Sequence, residues 1–141
     1  MPRTLIYRND FKTLARLRAK EARALLLSGN QQGAYYLAGY AVECALKACI
    51  ASKTKRFEFP PSPQEVKDFY THDLSVLLRA ADLEPQLEKD MKGNASLATN
   101  WNTVKLWNEK CRYRCSGLNG NDLYKAIRGV NGVLSWIKQH W

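Results

Sequence analysis

Histidine is scarce in this chain. Only His72 and His140 occur among 141 residues. The imidazole is the one side chain whose ordinary pKa lies near neutrality, so acid–base chemistry has few agents here. Acids are also few: 13 Asp and Glu stand against 22 Lys and Arg, for a net charge of +9. The four cysteines, Cys44, Cys49, Cys111 and Cys115, form no CxxC pair and have no histidine beside them. That spacing implies no zinc site, and no other metal or cofactor is implied. No glycine-rich phosphate loop and no Ser/His/Asp signature is present. The first residues, MPRTLIYRNDFK, hold no apolar run long enough for a signal peptide. The expectation is therefore a cytoplasmic protein with reduced thiols and no membrane association. No stretch alternates apolar and polar residues as a strand would, which leaves an all-α fold.

The longest weakly charged run is GAYYLAGYAVECALKACIA, residues 33–51, whose only charges are Glu43 and Lys47. On a helix Ala34, Leu37, Ala38, Ala41, Ala45 and Ala48 share one side, nearly all small. A second side carries Tyr35, Gly39, Val42, Leu46 and Cys49. The third carries Tyr36, Tyr40, Glu43, Lys47 and Ile50. A helix apolar on two of its three sides must be buried by several neighbours, and the small stripe admits another helix closely. The run is too short and too interrupted by charge to span a membrane.

Before it, DFKTLARLRAKEARALLLS (residues 10–28) reads as an amphipathic helix. Asp10 is its candidate cap, and Phe11, Leu14, Leu17, Leu25 and Leu26 form its apolar face. Arg16, Lys20 and Arg23 make an exposed basic stripe. Gly29 suits the left-handed closing position, and the short connection predicts an antiparallel hairpin with the central helix. Residues 52–71 read as irregular around Pro60, Pro61 and Pro63, with a helical turn or two between Gln64 and Tyr70. THDLSVLLRAADL predicts a short helix capped by Thr71 or Asp73, and Pro85 opens the next one. A further helical segment runs from Ser96 to Trp107. A last continuous helix follows from Asn121 or Asp122 almost to the end, with Leu123, Ile127, Val130, Leu134, Ile137 and Trp141 as its stripe. The whole predicts one domain over residues 1–141, an up-and-down bundle of about five helices.

Charge is uneven along the chain. Residues 1–28 and 99–141 each carry +5, residues 29–59 carry +2, and residues 60–98 carry −3. First and last helices lying side by side would form a basic face suited to a phosphate-bearing partner. Two candidate ligand sites stand out. Arg112, Tyr113 and Arg114, with Lys110 beside them, offer guanidiniums for a phosphate and a ring for a base. Their structural alternative puts Tyr113 in the core and Arg112 on an internal acid such as Glu43. Tyr36, Tyr40, Glu43 and Lys47 form the second candidate, since a carboxylate in an apolar helix needs a partner or a cavity. Lys47, Arg112 and His72 are the candidate partners.

The order of these pieces resembles the HEPN domain family, over roughly residues 10–140. The pieces are a helix ending in a glycine turn, GAYYLAGYAVECALKACIA, a proline-containing loop and THDLSVLL. They continue with a segment from Trp107 to an Arg-Tyr pair at 112–113 and a final amphipathic helix. The resemblance implies a bundle that forms homodimers. It also implies a module of the type found beside minimal nucleotidyltransferases, in toxin–antitoxin or defence systems. Some members are metal-independent ribonucleases that use an Arg followed by four to six residues and a His. Here no Arg lies at that distance before His72 or His140, and CSGLNGN after Arg114 holds no histidine. No catalytic residues are therefore carried over. The expectation is a non-catalytic module binding a nucleotide, a nucleic acid such as RNA, or a cognate nucleotidyltransferase. Its alternatives are a ribonuclease toxin with a divergent site built from Arg112, Arg114 and His72, and a pure protein-interaction module.

Overall fold

In the computed structural model, residues 8–53 and 63–141 are described, apart from the side chain of residue 65. Every regular element among them is helical: α1 (Arg8–Leu27), α2 (Gln31–Lys53), α3 (Pro63–Phe69), α4 (Leu74–Ala80), α5 (Glu84–Lys92), α6 (Ala95–Val104), a short 3-10 helix (Glu109–Tyr113), α7 (Gly120–Ile127) and α8 (Val133–Lys138). The all-α expectation is met, but with eight α-helices among the described residues rather than about five. Of the segment expected to be irregular, residues 54–62 lie outside the described residues, while α2 runs on to Lys53 and α3 begins at Pro63.

The central helix is α2. Ala34, Ala38, Ala41, Ala45 and Ala48 are fully buried, as are Val42 and Leu46 on the next side. Burying each large apolar side chain contributes about 1.5–3 kcal/mol. Helices α1, α4, α7, α8 and the 3-10 helix all pack on α2. In α1 the two buried side chains are Ala15 and Ala22, while Leu17 is exposed. The α1–α2 contact thus sets small residues in close approach, with Leu14 half-buried against the core and Leu25 against Gly33 of α2. Gly29, at φ +82°, closes α1 in the left-handed region, with Asn30 N donating to Leu25 O at 2.8 Å. The helix already begins at Arg8, so Asp10 sits within its first turn instead of capping it.

Other local signals hold. Asp73 caps α4 by accepting from the Ser75 and Val76 amides at 2.9 and 3.2 Å, and Pro85 lies in the first turn of α5. The last predicted helix does not run through. Gly129, at φ +83°, turns the chain, and a side chain at Gly132 would lie 2.3 Å from the Ile127 and Arg128 carbonyl oxygens. Val130, placed on the inward stripe by its spacing, is carried out to solvent by that turn. Leu123, Ile127, Leu134 and Ile137 remain buried, because α7 and α8 both return to the same core. Among the described residues no helix is long and apolar enough to cross a membrane.

Candidate functional site

The polar side of α2 interrupts an otherwise buried helix, and each of its groups has a specific neighbour. Glu43 is 2% exposed and is the single buried charged residue among those described. Its Oε1 lies 2.8 Å from His72 Nδ1, and its Oε2 lies 3.3 Å from Lys47 Nζ. Lys47 reaches it by the one-turn spacing on α2. His72 arrives from the segment ahead of α4, which the Asp73 cap fixes. The carboxylate is thus satisfied by two cationic or cation-capable groups, as its burial demands. Arg112, the third candidate partner, does not reach it. The His72 side chain remains 46% exposed.

One turn earlier on α2, Tyr36 and Tyr40 lie half-buried with ring centroids 5.9 Å apart. Trp107 stacks on Tyr36 at 6.3 Å and 19°. Its indole lies directly on Gly39, where an added Cβ would come within 2.2 Å of the ring. Trp107 Nε1 is buried, and no acceptor among the described residues meets hydrogen-bond geometry with it. The nearby Cys111 sulfur feels its dipole but is a weak acceptor. The guanidinium of Arg18 on α1 sits 6.0 Å from the Tyr40 ring, and Arg18 also pairs with Glu21. Burial raises the Tyr40 hydroxyl pKa, so it stays a neutral donor and acceptor.

The 3-10 helix completes this face. Asn108 caps it by accepting from the Lys110 amide at 2.8 Å. Arg112 pairs with Glu109 at 3.3 Å, donates to Tyr113 Oη at 3.0 Å, and lies 4.8 Å from the Tyr113 ring centroid. The Tyr113 hydrogen bond leads the influences that raise the Arg112 pKa, and the nearby Tyr36 hydroxyl adds the least. Tyr113 is 73% exposed and is no part of the core. Arg114 takes a different direction. Its guanidinium lies by Gly117, and its charge acts on Tyr35, on the neighbouring side of α2. Its carbonyl accepts from Gln32 Nε2 at 3.4 Å, and the Leu118 amide donates to Gln32 Oε1 at 2.9 Å, so α2 anchors this loop. Lys110 is exposed.

Of the residues singled out in the sequence, the structure pairs Tyr36 with Tyr40 on α2 and Arg112 with Tyr113 on the 3-10 helix, with Trp107 of the segment between α6 and that helix stacked on Tyr36. Glu43 and Lys47 form a second group with His72 at the next turns of α2. Glu109, Arg18, Trp107 and Gly39 belong to the arrangement without having been foreseen. The spacing of Glu109 and Arg112 was a readable signal, and a glycine inside a helix asks for a close neighbour. Burial raises the Cys44 and Cys49 pKa values to about 12 and about 11, so both remain thiols near neutrality and supply no nucleophile. Among the described residues no cluster of three or more His, Cys, Asp or Glu is placed to hold a metal. Comparison of the chain with protein-family models, curated proteins and solved structures returns no match.

Proposed function

We propose that this chain is a HEPN-like helical module that binds a nucleotide or single-stranded RNA without cleaving it. The contact surface is the face formed by Tyr36, Tyr40, Arg112 and Tyr113. One observation carries the reading: Tyr113 stands in solvent with the Arg112 guanidinium against its ring. A core role would have buried that ring. An exposed ring next to a cation offers a base a stacking face and its phosphate a charge-assisted partner. The resemblance of the sequence to HEPN domains adds homodimerisation and a cognate nucleotidyltransferase partner to the proposal. A one-chain mass by light scattering removes the dimer from it.

Titration of a labelled single-stranded RNA tests the binding. Affinity is expected at low salt, falling as salt rises. Tyr113→Ala and Arg112→Ala are each expected to weaken it by about 1–2 kcal/mol, within the range for one base–aromatic stack. No binding at low salt refutes the reading and leaves the protein-interaction module.

One observation favours a second reading. A buried carboxylate on Nδ1 of a half-exposed histidine is how a general base is oriented. The same incubations decide it. RNA shortened by the parent but not by His72→Ala makes this a ribonuclease, and intact RNA keeps the binding reading.

A further inference from the structure

Away from that face, three cations converge on the indole of Trp141 and a fourth on its main chain. Arg8, Lys12 and Arg16 follow one another along α1, about 6 Å further along its axis each time, and Lys138 comes from the end of α8. Lys12 Nζ lies 5.5 Å from the Trp141 ring centroid, the Arg16 guanidinium 4.9 Å and Lys138 Nζ 5.8 Å. Arg8 Nη2 donates to the Trp141 main-chain oxygen at 3.3 Å. Elsewhere in the fold Arg18, Lys47, Lys53, Arg79 and Arg112 each have a carboxylate within ion-pair distance. Among the described residues none of these four does. Partial burial, then repulsion from Arg8 and Arg16, holds the Lys12 ammonium below the usual lysine range. Sharing one ring among three cations recovers little, since an exposed cation–π contact is worth about 0.5–1 kcal/mol.

We propose that the Trp141 cluster is a second anion-binding site, which takes the phosphodiester backbone of a single-stranded nucleic acid. Arg8, Lys12, Arg16 and Lys138 meet phosphates there, and the accessible part of the Trp141 indole meets a base. A rigid helix with a cation at every turn fits a polymer of regularly spaced phosphates. Exposed Lys20 and Arg23 extend the row along α1. The indole argues for an unpaired strand, because an unpaired base exposes a π-face for it, whereas the bases of a duplex are stacked on each other and a lipid headgroup offers none. The residues come from α1 and α8 and the 3-10 helix contributes none, so the site stands independently of the Arg112–Tyr113 face.

The test is a fluorescence-polarisation titration with a labelled oligouridylate of about 12 nucleotides, across a salt series. Parent protein is compared with the triple variant Lys12→Gln, Arg16→Gln, Lys138→Gln and with Arg112→Ala. The triple variant is expected to bind about tenfold or more weakly at low salt. Its plot of log affinity against log salt should flatten by about 2, at about 0.7 per phosphate contact. Because the substitutions remove repulsion, its thermal unfolding is expected no earlier than the parent's. Unchanged affinity and slope in the triple variant overturn the site. So does markedly earlier unfolding, which would make the cluster structural. Loss on Arg112→Ala alone refutes this inference only, loss in the triple variant alone refutes the other face, and no binding by the parent refutes both. Phosphatidylserine vesicles that bind the parent while the oligonucleotide does not would assign the patch to a membrane surface and overturn the proposal.

Discussion

Gly39→Val is expected to destabilise the fold by about 3 kcal/mol, the upper end of the usual cost of overpacking. Three indole atoms of Trp107 lie 2.2–2.3 Å from where a Cβ would stand. The ring is 3% exposed and has no room to retreat inside a close-packed core. Either the indole swings away from α2 or the 3-10 helix lifts with it. Both responses also break the Trp107–Tyr36 stack and move Arg112. Thermal unfolding checks the stability, and Trp fluorescence checks the movement. An unchanged midpoint would mean that the indole does not lie on Gly39.

Glu43→Ala has the second large expected effect, a loss of about 3 kcal/mol. Breaking a buried pair from one side costs about 3–5 kcal/mol, and a small cavity adds to it. The low end applies because the His72 side chain can turn to water, being 46% exposed. Lys47 has less freedom, at 15% side-chain exposure, and is left with an uncompensated charge. The double variant Glu43→Leu, Lys47→Met is expected to recover most of the loss, because exchanging a buried pair for apolar groups is often neutral. Chemical denaturation measures both. A single variant within about 0.5 kcal/mol of the parent would show that the carboxylate is not structurally required.

What could be read in advance follows the range of the interactions. The Gly29 turn, the Asp73 cap and the proline opening α5 depend on neighbours within a few residues, so the residue types announce them. The Glu43–Lys47 pair is equally local. His72 is 29 positions from Glu43. No spacing rule connects them, and Arg112 was as eligible until the chain was folded. The break between α7 and α8 was missed because the stripe from Leu123 to Trp141 keeps its helical period through the glycines. Periodicity reports which residues face inward and is silent on whether the axis turns between them. In α1 the leucines drew attention to one face, while close approach to α2 selected Ala15 and Ala22. The Arg112–Tyr113 pair was identified by composition, and only its exposure separates a surface platform from a core determinant.

The central claim is that the outer side of α2 and the 3-10 helix together form a ligand surface. Photo-crosslinking with a 4-thiouridine-containing oligonucleotide, followed by peptide mass mapping, tests it most directly. The account predicts adducts on Tyr113 and on the α2 peptide carrying Tyr36 and Tyr40, lost with Arg112→Ala. Adducts confined to other peptides, or none under conditions where the RNA is bound, would contradict it.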